Sequence, residues 1–145
     1  MEKINAKVTG VDITKFKGQE YSTISLRLNK NIKKMSETDA GTHEEINTPF
    51  VSMPISAFLA TVNDDSINYY LATKGADVDN VKAAFAGAEV TVSQTLVAAG
   101  KTEGNFENTK DHDVYFNVVS NVKPSKLAII KIAAELGIDP NYLIS

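Results

Sequence analysis

The chain has 145 residues, a formal net charge of −3 and no cysteine. This length suits one domain with a hydrophobic core, and the lack of cysteine excludes disulfides, thiolate metal ligands and cysteine nucleophiles. No apolar run reaches the roughly 20 residues that a membrane-spanning helix needs, and the opening residues alternate in polarity, unlike a signal peptide. We therefore expect a soluble cytoplasmic protein.

The charges are unevenly distributed along the chain. Residues 1–35 contain eight basic and three acidic residues, a local charge of +5, whereas the remaining residues carry a charge of −8. A positive segment in an acidic protein can form a local anion-binding surface. The alternative is a set of solvated strand edges, where lysine discourages aggregation.

Alternation of polar and apolar residues predicts a β-hairpin at the start of the chain. One strand is expected around residues 3–9 and a second over 21–30, joined by a turn at 14–19. Residues 31–46 are polar and charged. We expect a long, mobile loop there.

A third strand is predicted near residues 46–53. Pro49 and Pro54 are typical of an edge or an irregular position, because proline cannot donate to a ladder. Apolar residues at helical spacing then predict a helix over 55–62. Residues 68–73 either extend this helix or form a separate turn.

The next helix has clear end signals. Asp77 or Asp79 can cap its start, and Gly87 ends it. The fourth strand is predicted over residues 88–97. Its inward-facing residues are expected to be Val90, Val92 and Leu96.

The last third of the chain is predicted to contain a loop, a strand and a helix. Residues 98–112 form a long hairpin loop, and residues 113–122 form the fifth strand. A helix over Ser125–Leu136 is ended by Gly137. One further turn follows, with Pro140 at its first helical position.

This last helix is apolar around more of its circumference than one small barrel can cover. The apolar positions are Leu127, Ile129, Ile130, Ile132, Ala133, Ala134 and Leu136. A surface helix needs only one apolar stripe. We therefore expect the excess to be buried against a second subunit, most simply in a two-fold dimer. A wider groove within the same chain is the alternative.

The order of elements is three strands, helix, two strands and an appended helix. A five-stranded barrel with its helix between strands three and four is the OB-fold. The segments AFAGAEVTVSQTLVAAG and VYFNVVSNVKPS, with the opening KINAKVTGVDI, resemble the single-stranded DNA-binding proteins of bacteria and their phages. The resemblance covers about residues 1–124, which we predict to be the OB-fold domain. Residues 125–145 would be a helical extension packing on the barrel or on a partner subunit.

The resemblance implies a sequence-tolerant, oligomeric protein that holds single-stranded DNA during replication or recombination. Proteins of that family end in an acidic tail with a terminal phenylalanine that recruits partners, whereas this chain ends in NYLIS. Either this protein recruits nothing in that way or it belongs to a divergent, phage-encoded branch. A second class stays open, because OB-folds host many functions. The acidic later part of the chain favours an OB-fold module that binds another polypeptide in replication or in a virion.

A protein that binds single strands needs cations for the phosphates and flat side chains on which bases stack. The second strand and its flanking loops interleave these two residue types. The predicted nucleic-acid-binding residues are Lys15, Phe16, Lys17, Tyr21, Thr23, Arg27, Asn29, Lys30, Lys33 and Lys34, with Lys101, Phe106 and Lys110 closing over the strand from the later loop.

Structural roles compete for these residues. Tyr21 can serve as a strand former, Phe16 can plug the end of the barrel, and Arg27 can pair with a carboxylate on a neighbouring strand. The remaining phenylalanines are predicted to lie in the core, namely Phe50, Phe58, Phe85 and Phe116.

Two charged segments contain the histidines. They are His43-Glu44-Glu45 and Asp111-His112-Asp113. Neither has the i, i+4 spacing that places two ligands on one helix face, so we predict no metal site. The chain also lacks a phosphate-cradling glycine loop before a helix and a nucleophile-elbow motif. We therefore expect no enzymatic activity, no catalytic residues and no cofactor.

Overall fold

The computed structural model describes residues 2–15 and 22–142. In chain order, its elements are β1 (Glu2–Lys15), β2 (Ser22–Glu37), β3 (His43–Pro54), α1 (Ile55–Thr61), α2 (Asp65–Lys74), α3 (Val78–Phe85), β4 (Glu89–Val97), β5 (Thr102–Glu103), β6 (Phe106–Glu107), β7 (Val114–Lys123), α4 (Lys126–Leu136) and a 3₁₀ turn at Pro140–Tyr142.

Five of the strands form one antiparallel sheet in the order β3-β2-β1-β4-β7, and β5 pairs with β6 in a separate small hairpin. The mainly β class and the position of helices between the third and fourth strands of the large sheet are confirmed. Residues 68–73 form neither an extension of α1 nor a turn, because they lie within the separate helix α2. Among the described residues, no helix has the length and apolar character needed to cross a membrane.

Strand β1 changes its pairing partner near its middle. Its first half pairs with β4 as far as Lys7, opposite Glu89. Its second half pairs with β2 from Val8, opposite Leu28. Each half of β1 therefore leaves one backbone edge outside a ladder. One backbone group on this open edge is paired by a side chain: the Lys7 amide donates a hydrogen bond of 2.8 Å to Asn29 Oδ1.

The β2–β3 hairpin is longer than predicted. The expected loop over 31–46 is wrong, because β2 continues to Glu37 and β3 begins at His43. The turn between them is closed by a 2.7 Å hydrogen bond from the Thr38 amide to the Thr42 carbonyl. This outer part of the hairpin is mostly exposed or half-buried on both faces. The alternation that marks a strand with one buried face is therefore missing from its sequence.

Strand β2 bends where it loses register with β3. Arg27 pairs with Phe50 and Ile32 pairs with Thr48, so residues 28–31 of β2 stand opposite Pro49 alone. Proline cannot donate a ladder hydrogen bond, and extra residues on one strand increase its bend and twist. The irregularity predicted at Pro49 is confirmed.

The core lies between the inner face of the sheet and the helices. Ile24 and Leu26 of β2 are fully buried. Phe58 and Phe85 are also fully buried, as predicted, and meet edge to face with ring centroids 4.9 Å apart. Such edge contacts suit the aromatic quadrupole.

The inward position predicted for Leu96 is wrong. Val90 and Val92 are buried as expected, but Leu96 is 50% exposed. The neighbouring Val97 is buried instead, under the loop that Asn108 holds by donating to the Val97 carbonyl. Neighbouring residues of a strand point to opposite faces, so at this end of β4 the covered face is that of Val97 and the face of Leu96 is open.

Local signals place the helix ends well. Asp77, and not Asp79, caps α3 by accepting from the Asn80 amide. Ser125 caps α4 by accepting from the Ala128 amide at 3.1 Å. Gly137 ends α4 in the left-handed conformation with φ of 70°, which glycine adopts without strain.

Helix α4 is attached to the other helices through a buried tyrosine. The hydroxyl of Tyr70 in α2 donates to Glu135 Oε2 at 2.5 Å and lies 3.2 Å from Asn80 Oδ1 of α3. Tyr70 itself is fully buried. One hydroxyl therefore links α2, α3 and α4.

Replacing Tyr70 by Phe removes this donor, and we expect the free energy of unfolding to fall by about 1.5–3 kcal/mol, the usual scale for a hydrogen bond to a charged group. Urea denaturation at neutral pH measures the change. Tyr69→Phe is the matched control, because Tyr69 is the preceding residue of α2 and is 62% exposed. An equal loss in both variants would contradict the role of the hydroxyl.

The same pair of proteins gives a pH test. Burial and the bond to Glu135 raise the pKa of Tyr70 from 10.0 to about 12. The stabilisation by the protonated hydroxyl is therefore complete below the unfolded pKa and is lost as the pH rises through the folded one. The difference in the free energy of unfolding between wild type and Tyr70→Phe should therefore become smaller as the pH rises from 10.0 to about 12.

Candidate nucleic-acid interface

The predicted binding residues fall on several separate surfaces. Phe16, Lys17 and Tyr21 lie outside the described residues. Lys15 is the last residue of β1, where its backbone pairs with Ser22. The others lie on the outer face of β2, in a cleft beside it, at the far end of the β2–β3 hairpin and in the 98–113 loop.

The outer face of β2 carries an exposed aromatic–cation pair. The guanidinium carbon of Arg27 lies 5.8 Å from the ring centroid of Phe50, which is its register partner on β3. Phe50 is 51% exposed. A cation over an aromatic face is attracted by the ring quadrupole, and this contact holds both groups at the surface.

Hydroxyl groups continue this surface along β2 and β3. Ser25 and Ser52 share a hydrogen bond of 2.6 Å between their Oγ atoms, and Thr23 follows opposite Pro54. The face formed by Thr23, Ser25, Arg27, Phe50 and Ser52 is called the stacking face below. It offers one flat ring, one guanidinium and several hydroxyls.

The core position predicted for Phe50 is wrong. Val51 is buried and Met53 is half-buried, so the period of two places Phe50 and Ser52 on the opposite face. The alternation around Val51 was the sequence signal that could have found this residue.

The competing structural role for Arg27 has no support in the described part of the chain. Its neighbour on β1 is Gly10, and the nearby carboxylate of Asp12 stands opposite Ser25. In residues 2–15 and 22–142 the ion pairs join Lys33 to Glu45 and His112 to Asp111. Arg27 is thus available to a ligand.

A cleft of about 750 Å³ opens beside the stacking face. Asn29 and Lys30, both predicted site residues, line it from the bend of β2. Lys7 and Lys123, which sequence reasoning missed, contribute two further ammonium groups. Lys123 is distant in sequence from the basic N-terminal segment, so no local pattern connects it to this site.

Lys33 is engaged in a structural network at the far end of the hairpin. Its ammonium lies 3.9 Å from Glu45 Oε2, and its carbonyl accepts a 3.0 Å hydrogen bond from Gln94 Nε2 of β4. The hydroxyl of Tyr115 in β7 donates to Glu45, which raises the pKa of that tyrosine to about 12. These contacts connect the hairpin to β4 and β7 and divert Lys33 from the stacking face.

The two histidines meet near this network. The rings of His43 and His112 stack with centroids 3.5 Å apart, and Lys34 and Lys110 line the same small cavity. Asp111 Oδ1 lies 3.1 Å from His112 Nδ1, and this contact lowers the pKa of Asp111. In the part of the chain that the structure describes, no three His, Cys, Asp or Glu side chains are grouped to hold a metal.

Phe106 has a partner within the chain. Its ring stacks on Phe116 with centroids 4.6 Å apart and an angle of 6° between the ring planes. Phe116 is half-buried and lies on the outer side of β7, so its predicted core position is wrong. Phe116 pairs with Thr95, outside the inward row of Val92 and Gln94. Lys101 is exposed in the same loop.

Comparison of the chain with protein-family models, with curated proteins and with solved structures finds no significant match. The resemblance to single-stranded DNA-binding proteins therefore depends on the sequence segments alone.

Phe50 and Phe58 give a test of the surface assignment. Phe58→Ala should lower the free energy of unfolding by about 3–5 kcal/mol, as for other fully buried phenylalanines. Phe50→Ala should change it far less, because half of that side chain is already in water. Urea denaturation of both variants measures the difference. If both variants lost a similar free energy of unfolding, Phe50 would have to be assigned to the core.

Proposed function

We propose that this protein has an OB-fold and binds single-stranded DNA with little sequence preference, in support of DNA replication or recombination. The single observation that carries the proposal is the exposed Phe50–Arg27 pair at the centre of the stacking face. Bases of any sequence have a flat face that can stack on such a ring, and a guanidinium beside it can meet a phosphate.

The strand arrangement supports the OB-fold. The order β3-β2-β1-β4-β7, with helices inserted after β3, is the order that a five-stranded barrel has when opened between its third and fifth strands. Side chains connect those two edges. Tyr115 of β7 donates to Glu45 of β3. Asn117 of β7 also donates to the Lys33 carbonyl of β2, the strand next to β3.

The position of the stacking face also supports the proposal. OB-folds bind oligonucleotides on the face of strands two and three, and here that face carries Arg27 and Phe50. The net charge of the protein is −3, so a strand must be held by local cations. Strand β2, which contributes Arg27 to this face, lies mostly within the basic segment 1–35.

We expect Phe50→Ala to weaken binding of a fluorescent oligo-dT by about 1–3 kcal/mol, the value of one base–aromatic stack. Arg27→Gln should weaken it too and should reduce its salt dependence, because one phosphate contact is lost. Fluorescence anisotropy at two salt concentrations measures both effects. Tyr69→Ala is the aromatic control outside the stacking face, because Tyr69 is 62% exposed on α2.

The wild-type protein should prefer oligo-dT over duplex DNA, and its affinity should fall as salt rises. Equal affinity for duplex, or wild-type binding by both Phe50→Ala and Arg27→Gln, would refute the stacking face. Phe16 and Tyr21 remain predicted stacking residues in the adjoining hairpin segment.

A second proposal, association with a second copy of this chain, is favoured by the outer face of α4. Leu127 is 80% exposed and Ile130 is 48% exposed, whereas Ile129 and Ile132 of the same helix are buried. Large apolar side chains side by side on a surface mark interaction sites. We propose that a second copy of this chain covers them, since a two-fold axis places the same stripe against itself.

Leu127→Asp should convert a dimer into a monomer without unfolding the chain, because this side chain is mostly in water. Analytical ultracentrifugation at micromolar concentration measures the association. Val118→Asp on β7 is the matched control, since Val118 is also exposed, at 39%, but lies on another element. A wild-type protein that is monomeric under these conditions would rule out the dimer.

A further inference from the structure

We infer that the cleft beside the stacking face is a separate binding site for a nucleotide, held by its phosphate. Binding of a free nucleotide there does not depend on the stacking face or on single-stranded DNA binding. It is formed where β1, β2, β4 and β7 come together, and the end of α1 contributes to its wall.

The cleft has a surplus of positive charge. Three lysines line it, namely Lys7 of β1, Lys30 of β2 and Lys123 of β7, against one carboxylate, Glu89 of β4. Glu89 is the register partner of both Lys7 and Lys123. All three lysines are exposed, and none belongs to an ion pair in the described part of the chain. Mutual repulsion of these cations is relieved when an anion enters.

Irregular pairing surrounds the cleft on several sides. Lys7 marks the point at which β1 changes partner, and Lys30 lies in the bulged segment of β2. On β7 the register with β4 shifts between Glu89 and Thr91, and Asn121 there has a left-handed φ of 52°. Asparagine adopts this conformation more readily than other non-glycine residues, and bulges of this kind often adjoin binding sites.

The size and polarity of the cleft favour a nucleotide over a bare phosphate. Its volume of about 750 Å³ is within the range of small-molecule sites and far exceeds the space that one phosphate fills. Four asparagines and two threonines line it together with the lysines. Amide side chains both donate and accept, as the edge of a base or a sugar requires.

The nucleotide has two sources that share this chemistry. One is a free mononucleotide. The other is the terminal phosphate of a strand bound on the stacking face, because Asn29 in the cleft lies two residues from Arg27, about 7 Å along the strand.

Isothermal titration calorimetry with dTMP, thymidine and inorganic phosphate tests the site. We expect dTMP to bind more tightly than inorganic phosphate, and thymidine to bind weakly or not at all. Lys7→Gln and Lys123→Gln should each weaken dTMP binding about tenfold, the scale of one lost contact to a charged group. Lys131→Gln is the matched control, because Lys131 is exposed on α4 and outside the cleft.

Equal binding of dTMP and thymidine, equal binding of dTMP and phosphate, or unchanged binding by both cleft variants would overturn the inference. Tighter binding of 5′-phosphorylated than unphosphorylated oligo-dT, lost in Lys123→Gln, would identify a strand end as the source. Binding of dTMP without that preference would identify the free nucleotide. Phe50→Ala should keep dTMP binding, so failure of the stacking face and failure of this site are distinguishable.

Discussion

The exchange of hydrogen-bonding partners along β1 sets the geometry of the whole sheet. A strand that paired with both neighbours along its full length would hold β2 and β4 close on either side. Here the ladder to β4 ends at Lys7 and the ladder to β2 begins at Val8. The two halves of the sheet can then turn relative to each other, and a gap opens between β1 and β2. The side chain of Asn29 bridges that gap, and the cleft lies there.

Polar contacts fix how far the two halves turn. Gln94 is almost fully buried in β4, and its amide donates to the Lys33 carbonyl and to Asn117. A buried amide is costly without partners, so these bonds restrain the bent end of β2 against β4 and β7. The Tyr115–Glu45 bond adds a contact from β7 to β3. The lysines of β2 therefore lie in different places. Lys33 faces Glu45, whereas Lys30, on the bend, lines the cleft.

The candidate sites differ from the predicted one in a way that the bend of β2 explains. The sequence predicted Thr23, Arg27 and Asn29 on one strand face, with Lys30, Lys33 and Lys34 following the end of that strand. Strand alternation keeps Thr23, Ser25 and Arg27 on one face, but residues 28–31 are bulged, and the strand beyond them is directed towards β7. A contiguous row of cations in the sequence therefore becomes a stacking face, a cleft and a structural ion pair. Phe50 reaches the stacking face from another strand.

Features that depend on neighbouring residues could be predicted from the sequence. The cap at Ser125 and the end of α4 at Gly137 need only groups within a few residues, and the buried row of Ile24 and Leu26 follows from the period of two. The exposure of individual apolar residues depends on packing between distant segments. Leu96 is exposed although Val90 and Val92 on the same face are buried, and the hairpin beyond Ile32 is a strand although neither of its faces is fully buried. The exposure of Leu96 and the extended hairpin depend on contacts between residues far apart in the chain. Local sequence patterns do not predict those contacts.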